Sequence, residues 1–289
     1  MNFKKPAFWD YSGLSFFSII LYPLSILFLF FSLLVKFFKI QKRFSIPIIC
    51  IGNIYVGGTG KTPLALEIYK IIKSFGKNPG FIKKGYSYLF DEIKMLEKVG
   101  KTFTNKNRKK ALNSLISDNH DVAILDDGFQ DFSIKKDFSI VCFNSKQLVG
   151  NGFVIPSGPL RENFKSIKRA DCIFINGNKN IQFENKIKRI NSNIKIFYSK
   201  YKIKNLENFR NKEVVAFAGI GNPSNFFDLL RENNIDVKRE YSFPDHHNYS
   251  QKDFDIIIKK DIKKIVTTEK DYSRMNDKQK LNCESLEIN

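Results

Sequence analysis

Paired cysteines, and histidines in any number, are what this chain most conspicuously lacks. Four cysteines (Cys50, Cys142, Cys172, Cys283) are scattered over 289 residues with no Cys-x-x-Cys pair, and only three histidines occur. A zinc site or a disulfide framework needs ligands at short, regular spacing, so neither is expected. The first three cysteines lie in apolar runs and read as small buried hydrophobes in a reducing compartment. Acidic residues are also few: 29 Asp and Glu against 48 Lys and Arg leave a net charge of +19. Such a charge suggests an anionic partner, whether membrane surface, phosphorylated substrate or nucleic acid. Lysine, asparagine, isoleucine and phenylalanine are abundant throughout, so the charge is partly compositional. The lysines lack the arginine–aromatic pattern of base recognition, and no nucleic acid is expected. No internal repeat is evident. The length allows one large core or two modest ones.

Charge is absent altogether from Tyr11 to Val35. About 20 apolar residues suffice to span a bilayer. No small-residue cleavage site follows, which argues against a secretory signal. Lys36, Lys39, Lys42 and Arg43 come after the stretch and Lys4 and Lys5 before it, so the positive-inside tendency puts the rest of the chain in the cytoplasm. Pro23 interrupts the run, and Ser15, Ser18, Tyr22 and Ser25 fall on one helical face. That stripe would either pack on protein or let the helix lie in the membrane interface. Membrane association is expected, with spanning left open.

The stretch that organises the chain is Pro47 to Thr62, PIICIGNIYVGGTGKT. An apolar run breaks into Gly57-Gly58-Thr59-Gly60-Lys61-Thr62 and leads into a helix-like segment from Leu64 to Ser74, the order of a phosphate-binding loop. Glycines let backbone N–H groups turn inward, and those donors with the helix N-terminus bind phosphate oxygens. Lys61 would reach the β- and γ-phosphates of a nucleoside triphosphate, and the Thr62 hydroxyl would sit on Mg2+. The glycine usual five residues before Gly60 is Tyr55 here. A second half of such a site follows at Val122 to Leu125, an apolar run entering Asp126-Asp127-Gly128-Phe129-Gln130. A carboxylate at that strand end would hold Mg2+ directly or through water.

Strands read at Gly80–Ile82, Ser139–Asn144 and Cys172–Asn176, and a helix at Arg108–Ser117, imply a mostly parallel sheet covered on both faces. Asn191 to Asn211, polar and lysine-rich, reads as a linker. A new α/β pattern begins at Val214–Ala218. The fold class is therefore α/β: a P-loop NTPase-type core over residues 44–197, a smaller α/β domain over 198–289, and an N-terminal membrane-associated helix with its basic flank over 1–43. Near the end, His246 and His247 adjoin Asp245. Neighbouring side chains on a helix point about 100° apart, so one histidine working with a carboxylate in proton transfer is more natural than a shared metal.

Together these motifs make the chain resemble the tetraacyldisaccharide 4'-kinase family of lipid A biosynthesis. The resemblance rests on GN-x-x-VGGTGKTP at Gly52–Pro63, GY at Gly85-Tyr86, DDGFQ at Asp126–Gln130, GNG at Gly150–Gly152, PSGPLRE at Pro156–Glu162, AGIGNP at Ala218–Pro223, FPDHH at Phe243–His247 and TEKD at Thr268–Asp271. All occur in the family's order, and the family's variant loop lacks the glycine that Tyr55 replaces. The resemblance implies transfer of the ATP γ-phosphoryl group to the 4'-hydroxyl of an acylated glucosamine disaccharide 1-phosphate, giving lipid IVA. It implies ATP and Mg2+ as cofactors and work at the cytoplasmic membrane of a Gram-negative-type bacterium, with the catalytic domains in the cytoplasm. It also implies catalytic roles for Lys61 and Asp127, metal binding by Thr62 with Asp126 and Asp127, and Asp91 as a base oriented by His246. Tyr86, Arg108 and Glu162 match substrate-side positions, with Arg108 on a substrate phosphate and Glu162 organising loop or metal.

Departures from the family's pattern surround Asp91, which has Phe90 and Ile93 where the family has glycine and proline, with only four residues separating it from Tyr86. Lys83-Lys84 replaces the family's Ser-Arg. The lid region is expected to be short, as is the segment after TEKD. Two alternatives stay open at this point: a membrane-associated P-loop ATPase switch, and a decayed family member that binds ATP without turnover.

Overall fold

The computed structural model describes residues 5–11, 13–258 and 264–288. They form two compact units, the larger built from 5–86 and 96–200, the smaller from 87–95 together with the residues from 201 onward. The segment 87–95, inside the stretch read as the kinase core, thus groups with the smaller unit.

The larger unit is organised on seven strands: β1 (Ile48–Gly52), β2 (Pro79–Lys84), β3 (Thr102–Asn105), β4 (Val122–Asp126), β5 (Phe138–Asn144), β6 (Cys172–Asn176) and β7 (Lys195–Ser199). Their order is β3-β2-β4-β1-β5-β6-β7, every pairing parallel. Parallel sheets bury both faces, which is why the central strands read as unbroken apolar runs. The period of two sends Cys50, Ile82, Leu125, Val141 and Phe143 to one core. It sends Ile51, Phe81, Ile124, Ile140 and Cys142 to the other.

The helices of this unit begin with α1 (Phe16–Phe37) and α2 (Lys61–Ser74). Next come α3 (Phe90–Glu97), which starts in the smaller unit, then α4 (Arg108–Ser117) and α5 (Ile181–Lys188). Helix α4 covers the first face with Ala111, Leu112 and Leu115. Helix α2 covers the second with Leu64, Ala65 and Tyr69. The chain winds from β1 towards β3, returns through β4 and leaves through β5. The loops after β1 and β4 therefore flank the switch point where α/β sheets bind ligands.

Strand β7 lies inside the stretch expected to be a linker. Its alternation is real but shallow: Ile196 and Tyr198 pack on the core while Lys195 and Phe197 are exposed. An edge strand needs only one buried face, and the polar, lysine-rich residues around it disguise it.

Helix α1 is held along one stripe only. Ser18 and Ser25 are buried. Ser25 Oγ donates to the Val154 carbonyl at 2.8 Å and lies 2.9 Å from Ser157 Oγ. Asn151 donates to Ser18 Oγ at 3.1 Å, and Tyr22 meets Phe153 edge-on at 5.7 Å. The polar stripe thus packs on protein, as one of the two expectations for it had it. Leu21, Leu29 and Ser32 continue the stripe half-buried, Leu29 against the core, while the opposite side, including Phe17, Ile20, Leu24, Leu27 and Phe31, is exposed.

The smaller unit is a parallel sheet ordered β11-β10-β8-β9, from β8 (Glu213–Ala218), β9 (Asp236–Ser242), β10 (Lys264–Thr268) and β11 (Glu284–Leu286). Helices α6 (Pro223–Glu232), α7 (Gln251–Ile257), α8 (Glu269–Tyr272) and α9 (Asp277–Lys280) belong to it. Val214 and Ala216 enter one core, Val215 and Phe217 the other. All four cysteines are buried and free, and burial pushes the thiols up, that of Cys50 to about 11.

Candidate active site

The loop after β1 has the backbone its glycines allow. Gly57 and Gly60 adopt φ of 126° and 86°, where a side chain is strained, and α2 begins at Lys61 immediately after. Asn53 holds the loop from below: its side-chain amide donates to the carbonyls of Tyr55 (2.6 Å) and Gly57 (3.3 Å) and to Thr59 Oγ1 (3.0 Å). Tyr55, in place of the usual glycine, is fully buried and donates its hydroxyl to Asp10 at 2.6 Å. The ring thus anchors the loop to the segment preceding α1. The PSGPLRE segment is laced to the same loop, with Val56 N–H donating to the Pro159 carbonyl (2.8 Å) and Arg161 N–H to the Ile54 carbonyl (2.6 Å).

Asp126 ends β4 opposite Ile51 of β1. Its Oδ2 accepts from the Lys83 ammonium at 2.6 Å and from Thr62 Oγ1 at 3.1 Å. Its Oδ1 is buried with no hydrogen-bond partner among the described residues. Asp127 turns the chain away at φ 59°, donating its N–H to the Ile51 carbonyl at 2.8 Å. Its carboxylate is gripped by Arg161 Nη1 at 2.8 and 3.1 Å, with the Lys61 ammonium 3.8 Å away. Burial pushes the Asp127 carboxyl up, but Lys61, Arg161 and Lys83 outweigh it and hold the group well below the usual carboxylate range.

No group of three or more His, Cys, Asp or Glu that could hold a metal occurs among the described residues. Mg2+ asks for less, taking one or two carboxylates and completing its shell with phosphates and water. The orphaned Asp126 oxygen and the Thr62 hydroxyl are hard oxygen donors at one end of the phosphate loop, and they fit that demand.

The remaining expected residues of this unit lie around the same turn. Arg108, 6% exposed, donates to the Asp127 carbonyl at 2.6 Å and pairs with Asp131 at 3.3 Å, bracing the turn from behind. Glu162 accepts from Gln130 at 3.0 Å and from both ends of the Arg169 guanidinium at 2.9 and 3.0 Å. Gln130 also donates to the Asn53 carbonyl, so Glu162 belongs to the network that shapes the loop. Tyr86 follows β2, with the Lys84 ammonium 5.4 Å from its ring centre.

The other expected pair lies wholly in the smaller unit. Asp91, 2% exposed in the first turn of α3, has its Oδ1 3.3 Å from His246 Nδ1. Its Oδ2 is taken by Arg274, through Nε at 3.1 Å and through Nη2, with the Lys270 ammonium 3.6 Å away. Arg274 also donates to the Gly219 carbonyl at 2.7 Å, which accepts the His246 N–H at 3.1 Å. One guanidinium thus orders both members of the pair. Burial raises the Asp91 carboxyl, and His246, Lys270 and Arg274 more than reverse this. His247 serves the turn, with Nε2 3.1 Å from Asp253 and its ring stacked on Phe243 at 4.8 Å.

Sequence reasoning missed Lys83, Arg161, Lys270 and Arg274 as partners of these carboxylates. Arg161 and Lys270 sat inside motifs already singled out. Arg274 carried only a weak signal, three residues after Asp271 on a helical turn.

The chain matches the family model of tetraacyldisaccharide-1-P 4'-kinase over residues 17–98 and 88–289. It is 46% identical over 284 residues to tetraacyldisaccharide 4'-kinase of Pelagibacter ubique, covering 95% of this chain and 89% of that one. It is 31% identical over 298 residues to the enzyme of the same name from Rickettsia canadensis, covering 94% and 88%. Among solved structures it is similar to LpxK from Aquifex aeolicus in complex with ATP, with a TM-score of 0.71, 26% identity, and coverage of 94% and 93%.

Proposed function

From the premise that the chain belongs to the tetraacyldisaccharide-1-P 4'-kinase family, we propose that it transfers the γ-phosphoryl group of ATP to the 4'-hydroxyl of a tetraacyl glucosamine disaccharide 1-phosphate. The product is lipid IVA. The observation that carries this reading is the meeting of the glycine loop, Lys61, Thr62 and the Asp126-Asp127 turn at the switch point of the parallel sheet.

Phosphoryl transfer asks a protein for positioning and charge neutralisation more than covalent chemistry. The amides of Gly57 to Gly60 and the N-terminus of α2 bind phosphate oxygens, and Lys61 neutralises the β- and γ-phosphates. Thr62 and Asp126 would hold Mg2+, with Asp127 beside them; when bound, the ion supplies charge neutralisation at the transferring group. Arg161 holds Asp127 in its turn, and Arg108 acts through that turn's backbone. Glu162 shapes the loop through Gln130, and Tyr86 contacts the acceptor. His246 and Asp91 act as the pair that takes the proton from the attacking hydroxyl, with Arg274 and Lys270 keeping Asp91 ionised.

The exposed apolar face of α1 supports membrane association, and the basic residues Lys36, Lys39, Lys42 and Arg43 support a cytoplasmic, anionic lipid surface. Because the Ser18–Ser25 stripe is committed to the loop at 151–157, the helix lies along the interface with its apolar side in lipid.

The experiment is transfer of labelled γ-phosphate from ATP to tetraacyl disaccharide 1-phosphate in detergent micelles. Labelled lipid is expected from the wild type, with a fall of about a hundredfold or more in Lys61→Ala, the scale of losing one transition-state charge contact. Binding of ATP without labelled lipid would sink the kinase reading.

A further inference from the structure

Lys83 is a lysine placed where the fold buries everything around it, 1% exposed on β2. The register puts it there: Ile82 stands opposite Leu125 in the parallel β2–β4 ladder, so the next residues, Lys83 and Asp126, are neighbours at the carboxyl ends of their strands. The ammonium lies 2.6 Å from Asp126 Oδ2, the same oxygen that accepts from Thr62. The carboxylate is itself fully buried, and its Oδ1 meets no hydrogen-bond donor among the described residues. One oxygen is therefore saturated by a fixed cation while the other is bare beside the phosphate loop.

A buried carboxylate demands a counter-charge. Beside a phosphate loop a divalent metal ordinarily shares that task; here the chain supplies a cation of its own. We propose that Lys83 is an internal counter-cation that keeps the nucleotide-free site from taking up a divalent metal, so that the metal enters only with the nucleotide's phosphates. The inference rests on the reading of this loop as a nucleotide site. Its physical basis is like-charge repulsion: an ammonium already in contact with Asp126 lowers the field that would attract Mg2+ to the bare oxygen. Phosphate oxygens brought by a nucleotide restore the negative charge and supply ligands that Mg2+ prefers.

Mn2+ is the probe, a hard, octahedral, oxygen-loving ion detectable by paramagnetic resonance. Titrated into the nucleotide-free full chain, it should bind weakly to the wild type and leave its melting temperature unmoved. In Lys83→Gln, which keeps an N–H donor for Asp126 without the charge, affinity should rise about tenfold or more, the scale on which groups behind a ligand tune metal sites. Lys83→Arg should behave as wild type, and adding Asp126→Asn to Lys83→Gln should abolish the gain. The proposal is overturned if Lys83→Gln binds Mn2+ no better than wild type, or if the gain survives Asp126→Asn. If Lys83→Gln folds only with difficulty, recovery of a cooperative melt in Mn2+ supports the proposal and failure to recover overturns it. Absence of phosphoryl transfer in the wild type would remove the kinase reading while leaving this binding result standing.

Discussion

Arg274 shows how much of the site is decided by single side chains. It is 6% exposed along its side chain and pairs with two buried carboxylates, Asp91 and Asp271. Replacing it with alanine leaves both without their strongest partner, and breaking a buried pair in this way costs about 3–5 kcal/mol. Arg274→Ala should therefore lower the unfolding free energy measured by chemical denaturation by that order, and Arg274→Lys should recover part of it. In the kinase assay Arg274→Lys should reduce kcat more than KM and move the acid limb of the pH profile upward, because Asp91 then keeps its proton to higher pH. The carboxylates and His246 were legible from the sequence as motif residues. Their cations were not, because a lysine or arginine announces charge without announcing its partner.

At the scale of elements, α1 and the glycine loop differ in how they are held. The turn of the loop is specified locally, by glycines at positive φ and by Asn53 a few residues away, and distant segments only anchor it, through Asp10 and Pro159. Helix α1 depends on a distant segment. Ser25 is buried against Ser157 and the Val154 carbonyl, so Ser25→Ala leaves those groups short of a partner and should cost about 1–3 kcal/mol in chemical unfolding. Its outward face makes the complementary prediction. Leu27 and Phe31 are 52% and 61% exposed, so Leu27→Glu with Phe31→Glu should leave the melting temperature within a few degrees of wild type. The same variant should strongly reduce co-sedimentation with anionic vesicles; unchanged sedimentation would count against the interfacial role.

For the whole molecule, acid behaviour is governed by depressed carboxylates, of which Asp127 in the larger unit and Asp91 in the smaller are the most strongly shifted. Each has a folded value below the unfolded one near 4, so each contributes stability that is present above that value and lost as pH falls through the folded value. Acid unfolding followed by circular dichroism should begin below about pH 4. Asp127→Asn should flatten that dependence by removing one of the linked protons; an identical acid slope in that variant would refute the assignment. Burial keeps the four thiols protonated at neutral pH, so alkylating reagents should react with the native chain only after unfolding.

The sequence alone determined whatever is written in neighbouring residues: the phosphate loop, the apolar strands of a sheet buried on both faces, α4 from Arg108 to Ser117, the buried cysteines and the apolar helix. Only tertiary structure decided the pairings across the chain. Asp91 meets Arg274 at a separation of 183 residues, Lys83 meets Asp126 at 43, and Ser25 meets Ser157 at 132. It also moved residues 87–95 out of the stretch read as the kinase core and into the smaller unit, and turned part of an expected linker into β7. The reason is physical. Periodicity and turn chemistry act over a few residues, whereas the partner of a buried charge is fixed by strand order and register, which no local pattern encodes.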